Sequence, residues 1–232
     1  MTSLADFPIT RRWPATRPDV IQLYTLNTPN GIKASVMLEE CGLDYEAHRI
    51  SISTPEDQHT PEFLSLNPNN KIPAMIDPNG PGGQPMGLWE TGAILIYLGD
   101  KTGKFLPQDG AARYHTIQWL MWQMGGLGPM FGQVGFFHRY KGREIDDPRP
   151  RTRYFTEANR LLRVLDKQLQ GRDWITGEYS IADMAVGPWL RTLRVNYDAE
   201  KETGMDGCAN VQAYLDRFLA RPAVQRGIEV GA

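Results

Sequence analysis

A chain that passes from a buried strand into a helix within a few residues commits that region to a β-α unit. Thr28-Pro29-Asn30-Gly31 imposes such a passage early in this sequence. Before it lies Val20-Ile21-Gln22-Leu23-Tyr24, a short run with β-branched and aromatic residues that reads as a buried strand. After it, the spacing of apolar residues from Ile32 to Cys41 predicts a helix. Thr28 suits the cap of that helix. Pro29 suits its first position, where a missing N–H costs nothing. The unspent backbone N–H groups and the positive end of the helix dipole then face outward and favour a thiolate or carboxylate. Thr28 and Asn30 add side-chain donors at the same mouth. Asn-Gly is also a common hairpin turn, and capped helices are frequent, so these residues alone fit a plain turn and cap as well.

The following residues extend the unit. Tyr45 to Ile52 alternates weakly and predicts a second strand, and Pro61 to Leu66 a short helix within a loop. Lys71-Ile72-Pro73-Ala74-Met75-Ile76 predicts a third strand with proline near its start, where strands tolerate one. The turn Asn79-Gly80-Pro81-Gly82-Gly83 leads to a short fourth strand, Met86 to Trp89. A helix is predicted over Glu90–Lys101 from the spacing of Ile94, Leu95 and Leu98. The order β-α-β-α-β-β-α suits a small α/β domain. Thr102 to Asp109 has linker composition, and beyond it no stretch reads convincingly as strand. Helices are predicted over Arg113–Phe137, Arg153–Leu169, Ile181–Leu193 and Val211–Leu219, the third opened by a capping box with Ser180 and Asp183. The expected organisation is an N-terminal arm over residues 1–19, an α/β domain over 20–103, a linker over 104–110 and an all-helical domain over 111–232.

Residues 117–137 carry no charge, and uncharged stretches of that length can span a bilayer. Gln118, Gln123, Gln133, five glycines and Pro129 argue against a span, because they would break the helix and strand polar groups in lipid. A helix bent at Gly125–Pro129 and buried in the core or at a subunit interface is expected instead. The 232 residues carry a net charge of −2 with no run of like charges, which argues against nucleic acid or an anionic membrane as the main partner. Cys41 and Cys208 form no CxxC, and His48, His59, His115 and His138 show no metal-ligand spacing. A cytoplasmic protein without a metal is expected. Arg11-Arg12 is followed by no apolar stretch, so no export signal is read there.

Four segments together resemble the cytosolic glutathione transferases, and within them the bacterial nu class. They are Thr28-Pro29-Asn30-Gly31, Asn67-Pro68-Asn69-Asn70-Lys71-Ile72-Pro73-Ala74, Trp89-Glu90-Thr91-Gly92-Ala93-Ile94 and Gln123-Met124-Gly125-Gly126-Leu127-Gly128-Pro129-Met130. The resemblance covers roughly residues 20–225. It implies a thioredoxin-like N-terminal domain, an all-helical C-terminal domain and a homodimer. It also implies a glutathione-dependent disulfide-bond reductase, with hydroperoxide reductase and weak conjugating activity, that holds two glutathione molecules or one glutathione disulfide.

Carried over by position, the resemblance implies that Thr28 and Asn30 donate to the glutathione sulfur. Ile72-Pro73 would be a cis peptide exposing the Ile72 backbone to the cysteinyl unit. Glu90 would pair with the γ-glutamyl amine, and Thr91 would bind the γ-glutamyl carboxylate through hydroxyl and backbone N–H. Gln58 and Lys71 would reach the glycyl end, and Arg153 the second glutathione. A free thiol ionises near pH 8.5, so a site using thiolate must favour it, and donors at a helix N-terminus do so without a protein cysteine. Tyr24 reads as packed in its strand, Cys41 as a small buried hydrophobe, Trp119, Trp122, Trp174 and Trp189 as core, and Asp183 as a cap. Two other activities remain open: conjugation of glutathione to electrophilic carbon, and glutathione binding in a regulatory protein without turnover.

Overall fold

The computed structural model describes residues 3–53 and 56–232. Met1 and Thr2, at the head of the expected arm, lie outside the described residues, as do Thr54 and Pro55. The chain divides into two compact units. One runs to Thr102 and includes Pro222–Ala232; the other is Gly103–Arg221.

The first unit opens with a short helix α1 (Ile9–Arg12), then β1 (Ile21–Thr25), α2 (Pro29–Cys41), β2 (Tyr45–Arg49), α3 (Pro61–Leu66), β3 (Ala74–Asp77), β4 (Met86–Trp89) and α4 (Thr91–Thr102). The four strands form one sheet in the order β2-β1-β3-β4. β1 and β2 are parallel, joined by α2 as the crossover, whereas β3 pairs antiparallel with both β1 and β4. This is a thioredoxin-like arrangement. Strand alternation sends Tyr24, Ala74 and Ile76 to one face, where they cluster with Ile50, Phe63, Leu66, Ile72 and Ile9. Ile9 is fully buried, and the Trp13 ring meets Tyr24 edge-on at 6.3 Å, so the described part of the arm is a packed cover for that face. Its polar, proline-rich composition hides this, because only four of its described side chains (Leu4, Phe7, Ile9 and Trp13) carry the packing.

The chain's last helix belongs to this unit, although the sequence reading placed residues 111–232 in one helical domain. Pro222–Glu229 packs along α2. The Ser35 hydroxyl donates to the Gly227 carbonyl (2.6 Å) and the Asn27 amide to the Ile228 carbonyl (2.8 Å). Arg226 pairs with Glu39 at 2.7 Å. A Cβ on Gly227 would press into the Val36 backbone, so helix and helix meet at backbone distance only because that residue is glycine. These partners are some 190 positions apart, and amphipathic spacing says that a helix packs without saying on what.

The second unit is helical: α5 (Gly110–Trp122), α6 (Gly128–His138), α7 (Pro148–Gln168), α8 (Ile181–Arg191), α9 (Glu200–Thr203) and α10 (Ala209–Leu219), which leaves Pro222–Glu229 as α11. The expected bend is a π-helical turn at Gln123–Leu127, followed by Pro129, which has no N–H to give to the widened turn. Leu120, Leu127, Phe131 and Val134 are buried, but Met121, Gly125, Pro129 and Phe136 are exposed in the single chain. No helix among the described residues is long and apolar enough to cross a membrane. α7 starts five residues before the predicted Arg153, because Asp147 caps it by accepting from the Arg149 N–H (3.0 Å) and Pro148 and Pro150 both fit its first turn.

The capping box of α8 is the main polar feature of this unit's core. Asp183 is fully buried; its Oδ1 accepts from the Ile175 N–H (3.0 Å) and its Oδ2 from the Ser180 N–H (2.9 Å) and hydroxyl (3.1 Å). Burial raises its carboxyl to about 6 against the pull of these donors. Asp183→Ala would leave two buried N–H groups unpaired. A loss of about 3 kcal/mol is expected by urea denaturation, with Asp183→Asn losing less because it keeps one acceptor.

Candidate functional site

Three loops leave the same end of the sheet. Tyr24 pairs with Ala74 and Ala74 with Trp89, in successive antiparallel registers. The end of β1, the start of β3 and the end of β4 are therefore side by side. Thr28 follows the first, Ile72-Pro73 precedes the second, and Glu90-Thr91 follows the third. The register alone thus collects most of the expected residues at one edge, together with the N-termini of α2 and α4.

At the first of these termini Thr28 is the N-cap, with extended backbone (φ −122°, ψ 163°). Its Oγ1 accepts from the Gly31 N–H at 3.1 Å. Thr28 and Asn30 are half-buried. The hydroxyl oxygen is engaged as an acceptor, and its proton remains to be donated. Gly31 is fixed by space rather than by dihedral angles. A Cβ there would strike the Leu26 carbonyl oxygen and lie 2.6 Å from the Thr25 hydroxyl. Only glycine lets the first turn of α2 lie this close to the end of β1.

At the second terminus Glu90 has a positive φ of 70°, a conformation that costs a non-glycine residue roughly 1–3 kcal/mol. Its carbonyl accepts from the Ile94 N–H at 2.9 Å, so it opens α4, and its side chain is exposed. Thr91 is 6% exposed, and its Oγ1 receives a hydrogen bond from Lys33 Nζ at 3.4 Å. Lys33 lies within α2 and is 1% exposed. Burial pushes its ammonium down, partly opposed by the Glu90 carboxylate, to about 7.

Between the two termini, Ile72-Pro73 is a cis peptide, with both residues buried and Lys71 exposed. Asn67 orders this turn: its amide donates to the Lys71 carbonyl, and its oxygen accepts from the Asn69 N–H at 2.9 Å. Gln58 is 7% exposed, in a single 3₁₀ turn, Asp57–His59. Arg12 pairs with Asp57 at 2.9 Å, and the Asn70 amide lies 3.3 Å from His59 Nδ1. The turn carrying Gln58 is thereby tied both to the arm and to the loop before Lys71. Arg153 lies in the second unit, on the first turns of α7, with its side chain exposed.

Tyr24, Cys41 and Asp183 are structural in the fold, as read, and Trp189 is buried, but Trp119, Trp122 and Trp174, expected in the core, are only half-buried. Tyr24 is fully buried, its ring stacked on His48 at 4.7 Å, and its hydroxyl has no hydrogen-bond partner. Burial, with a contribution from Glu46, holds that hydroxyl's pKa well above the usual value. Cys41 is 6% exposed and Cys208 fully buried; both are free thiols, and burial raises the Cys208 pKa. Two residues of the site were missed in the sequence. Gly31 was read as a turn residue although its role is close approach. Lys33 was passed over, although one lysine amid Ile32, Ala34, Val36, Met37 and Leu38 is a signal: a charge in an apolar helical run needs a partner.

Comparison with known proteins agrees with this geometry. Residues 29–101 match the family model of the glutathione S-transferase N-terminal domain, and residues 148–217 that of its C-terminal domain. The disulfide-bond oxidoreductase YfcG of Escherichia coli K12 is 42% identical over 211 residues, 90% of this chain and 94% of that protein. A solved glutathione transferase family member from Pseudomonas fluorescens Pf-5, with two glutathione bound, is 61% identical. It superposes with a TM-score of 0.95 over 97% of this chain and 99% of its own. A glutathione transferase from Pseudomonas putida, with one glutathione disulfide bound per subunit, is 58% identical, with a TM-score of 0.98 over the whole of both chains.

The close approach at Gly31 gives a direct test of how the α2 terminus is held. Gly31→Ala must push the first turn of α2 away from Leu26, at a cost of about 1–3 kcal/mol for an overpacked site. The expected result is a lower melting temperature with Thr28 still in place; an unchanged one would mean that the turn has room to move.

Proposed function

The chain belongs to the glutathione transferase family, and on that premise we propose that it is a glutathione-dependent disulfide-bond reductase of the nu class. The observation that carries this reading is the pairing of two thiols in its relatives with the burial of both of its own. Structures about 60% identical hold two glutathione molecules or one glutathione disulfide, and Cys41 and Cys208 are shut inside the protein. Relatives named disulfide-bond oxidoreductases at 41–42% identity support the same reaction class.

The chemistry is a two-thiol exchange. One bound glutathione thiolate attacks a sulfur of the substrate disulfide, forming a mixed disulfide and releasing one thiolate, which takes up a proton. The second glutathione thiolate attacks the mixed disulfide at the glutathione sulfur. Glutathione disulfide forms, and the second substrate thiol leaves. Thr28 and Asn30 stabilise the attacking and departing thiolate as donors, reinforced by the α2 N-terminus. Glu90 takes the γ-glutamyl amine and Thr91 the γ-glutamyl carboxylate. Ile72, beside Pro73, presents its backbone to the cysteinyl unit; Gln58 and Lys71 serve the glycyl end, and Arg153 the second glutathione. Organic hydroperoxides would oxidise the same thiol pair, yielding an alcohol and water. The chain would act as a homodimer through the exposed apolar side of α5 and α6 around Met121 and Phe136, and in the cytoplasm, where its two free thiols stay reduced. Sedimentation at micromolar concentration should give a dimer; a monomer alone would count against it.

The decisive variants are Thr28→Val, which keeps the shape and discards the hydroxyl, and Asn30→Ala. A hydrogen bond to a charged group is worth about 1.5–3 kcal/mol, so each should raise the bound thiol pKa by roughly one to two units. The readouts are thiolate absorbance of bound glutathione against pH and the rate of reduction of a small disulfide. The double variant Cys41→Ser, Cys208→Ser should keep most of that rate. An unchanged titration in both site variants would move the assignment away from α2, and loss of rate in a folded cysteine variant would overturn the mechanism. Turnover of an aryl halide in place of disulfides would make the protein a conjugating enzyme.

A further inference from the structure

Lys33 is the most deeply buried cationic group described in the first unit, and the reaction as proposed does not use it. It lies in α2, five residues after the Thr28 cap, with Ile32 and Ala34 buried beside it. A hydrogen bond from it crosses to the other helix terminus at the sheet edge, where Nζ donates to Thr91 Oγ1 at 3.4 Å. Removing an ammonium from water costs several kcal/mol before any partner is counted. An alkyl side chain of similar length would fill the same space between α2 and α4 without that cost. The position therefore calls for an explanation other than packing.

The hydrogen-bond chemistry supplies one. An ammonium has donors and no acceptor, whereas a hydroxyl has one proton and two lone pairs. Thr91 Oγ1 must be the acceptor toward Lys33, so its own proton is turned elsewhere. Thr91 is the first residue of α4, at a terminus whose leading N–H groups have no partner within the helix. A neutral or acceptor-bearing residue at position 33 would let the Thr91 hydroxyl point inward. In its ammonium form lysine forbids that, and it sets a positive charge behind a helix N-terminus, where the dipole already favours an anion and where a bound anion would itself favour the protonated form.

We propose that Lys33 is a positioning residue for the anionic end of the γ-glutamyl group, holding the Thr91 hydroxyl as acceptor so that its proton is presented to the bound carboxylate. The inference rests on the reading of Glu90 and Thr91 given above. It accounts for the separate duties of the two neighbours. Glu90, exposed and held at positive φ, faces the amine of the same ligand unit. The buried cation supports the carboxylate, and Glu90 in turn offsets part of the cost of burying Lys33.

The test uses two probes whose sulfur is blocked, so that thiol ionisation does not enter. They are S-methylglutathione and its analogue lacking the γ-glutamyl α-carboxylate, bound to the wild-type protein, Lys33→Met and Lys33→Gln. Wild type should bind S-methylglutathione the more tightly. Lys33→Met should weaken that binding roughly 10- to 100-fold, the effect of one charge-assisted hydrogen bond, and change the analogue's binding by less than about threefold. Lys33→Gln, which can still donate to Thr91 but carries no charge, should lie between. In the wild-type protein, whatever the variants do, the Lys33 Nζ resonance should shift on saturation with S-methylglutathione and stay in place with the analogue. A lysine that only supports the fold would weaken both probes alike and show no such difference. Equal loss of the two probes, no loss at all, or an unmoved resonance would overturn the inference alone. Equal affinity of the wild-type protein for both probes would overturn the reading of Thr91 as the carboxylate's partner, and the inference with it.

Discussion

The antiparallel register of β3 against both of its neighbours is the constraint on which the candidate site depends. It sets Tyr24, Ala74 and Trp89 in one row, so the chain must leave β1, enter β3 and leave β4 at one end of the sheet. Two helices then start at that end, each with unspent N–H groups and a positive dipole end. A shift of one residue in either pairing would turn the side chains over and put Met75 and Asp77 on the face that Ala74 and Ile76 occupy. The hydrophobic cluster under α1 and α3 therefore protects the site's geometry as well as the stability of the unit. The described arm belongs to that cluster through Ile9, and to the site through Arg12 and Asp57.

Two glycines, in opposite parts of the sequence, set how closely α2 can be held. Gly31 lets its first turn lie against the Leu26 carbonyl, and Gly227 lets α11 lie against Val36. Neither needs a positive φ; both are small because backbone meets backbone. With β-structure on one side, α4 on another and α11 on a third, α2 has almost no exposed surface between Gly31 and Leu38. A helix enclosed in this way is an unusual place for a charge, which is why Lys33 needs a partner that the fold itself supplies.

What could be read in the sequence was whatever depends on neighbours along the chain. Pro61–Leu66, Met86–Trp89, the Thr28 cap and the Ser180–Asp183 capping box fall where local spacing put them. The third strand begins at Ala74 rather than Lys71, because Pro73 has no N–H to give to the ladder. α7 begins earlier than expected because prolines read as breakers are harmless in a first turn. The placement of α11 on α2, the packing of the arm through a few side chains, and the bond from Lys33 to Thr91 all join distant positions. No periodicity reports those. The motifs at 28–31, 67–74 and 89–94 were legible as a set only through their resemblance to a family, since each alone is an ordinary turn or cap.

The two helix termini at the sheet edge face different electrostatic tasks on the proposed reading. A thiolate must be stabilised only enough to form near neutral pH and must remain a nucleophile, so neutral donors such as a hydroxyl and an amide suit the α2 terminus. A full positive charge there would lower the thiol pKa further, but it would also reduce the reactivity of the thiolate. The γ-glutamyl carboxylate is never a reactant, and stronger binding of it carries no such penalty. Placing the lysine on α2 while pointing its ammonium at α4 puts the charge at the end of the ligand where it aids binding and keeps it away from the sulfur. The same helix thus provides neutral donors at its tip and a cation one turn further on.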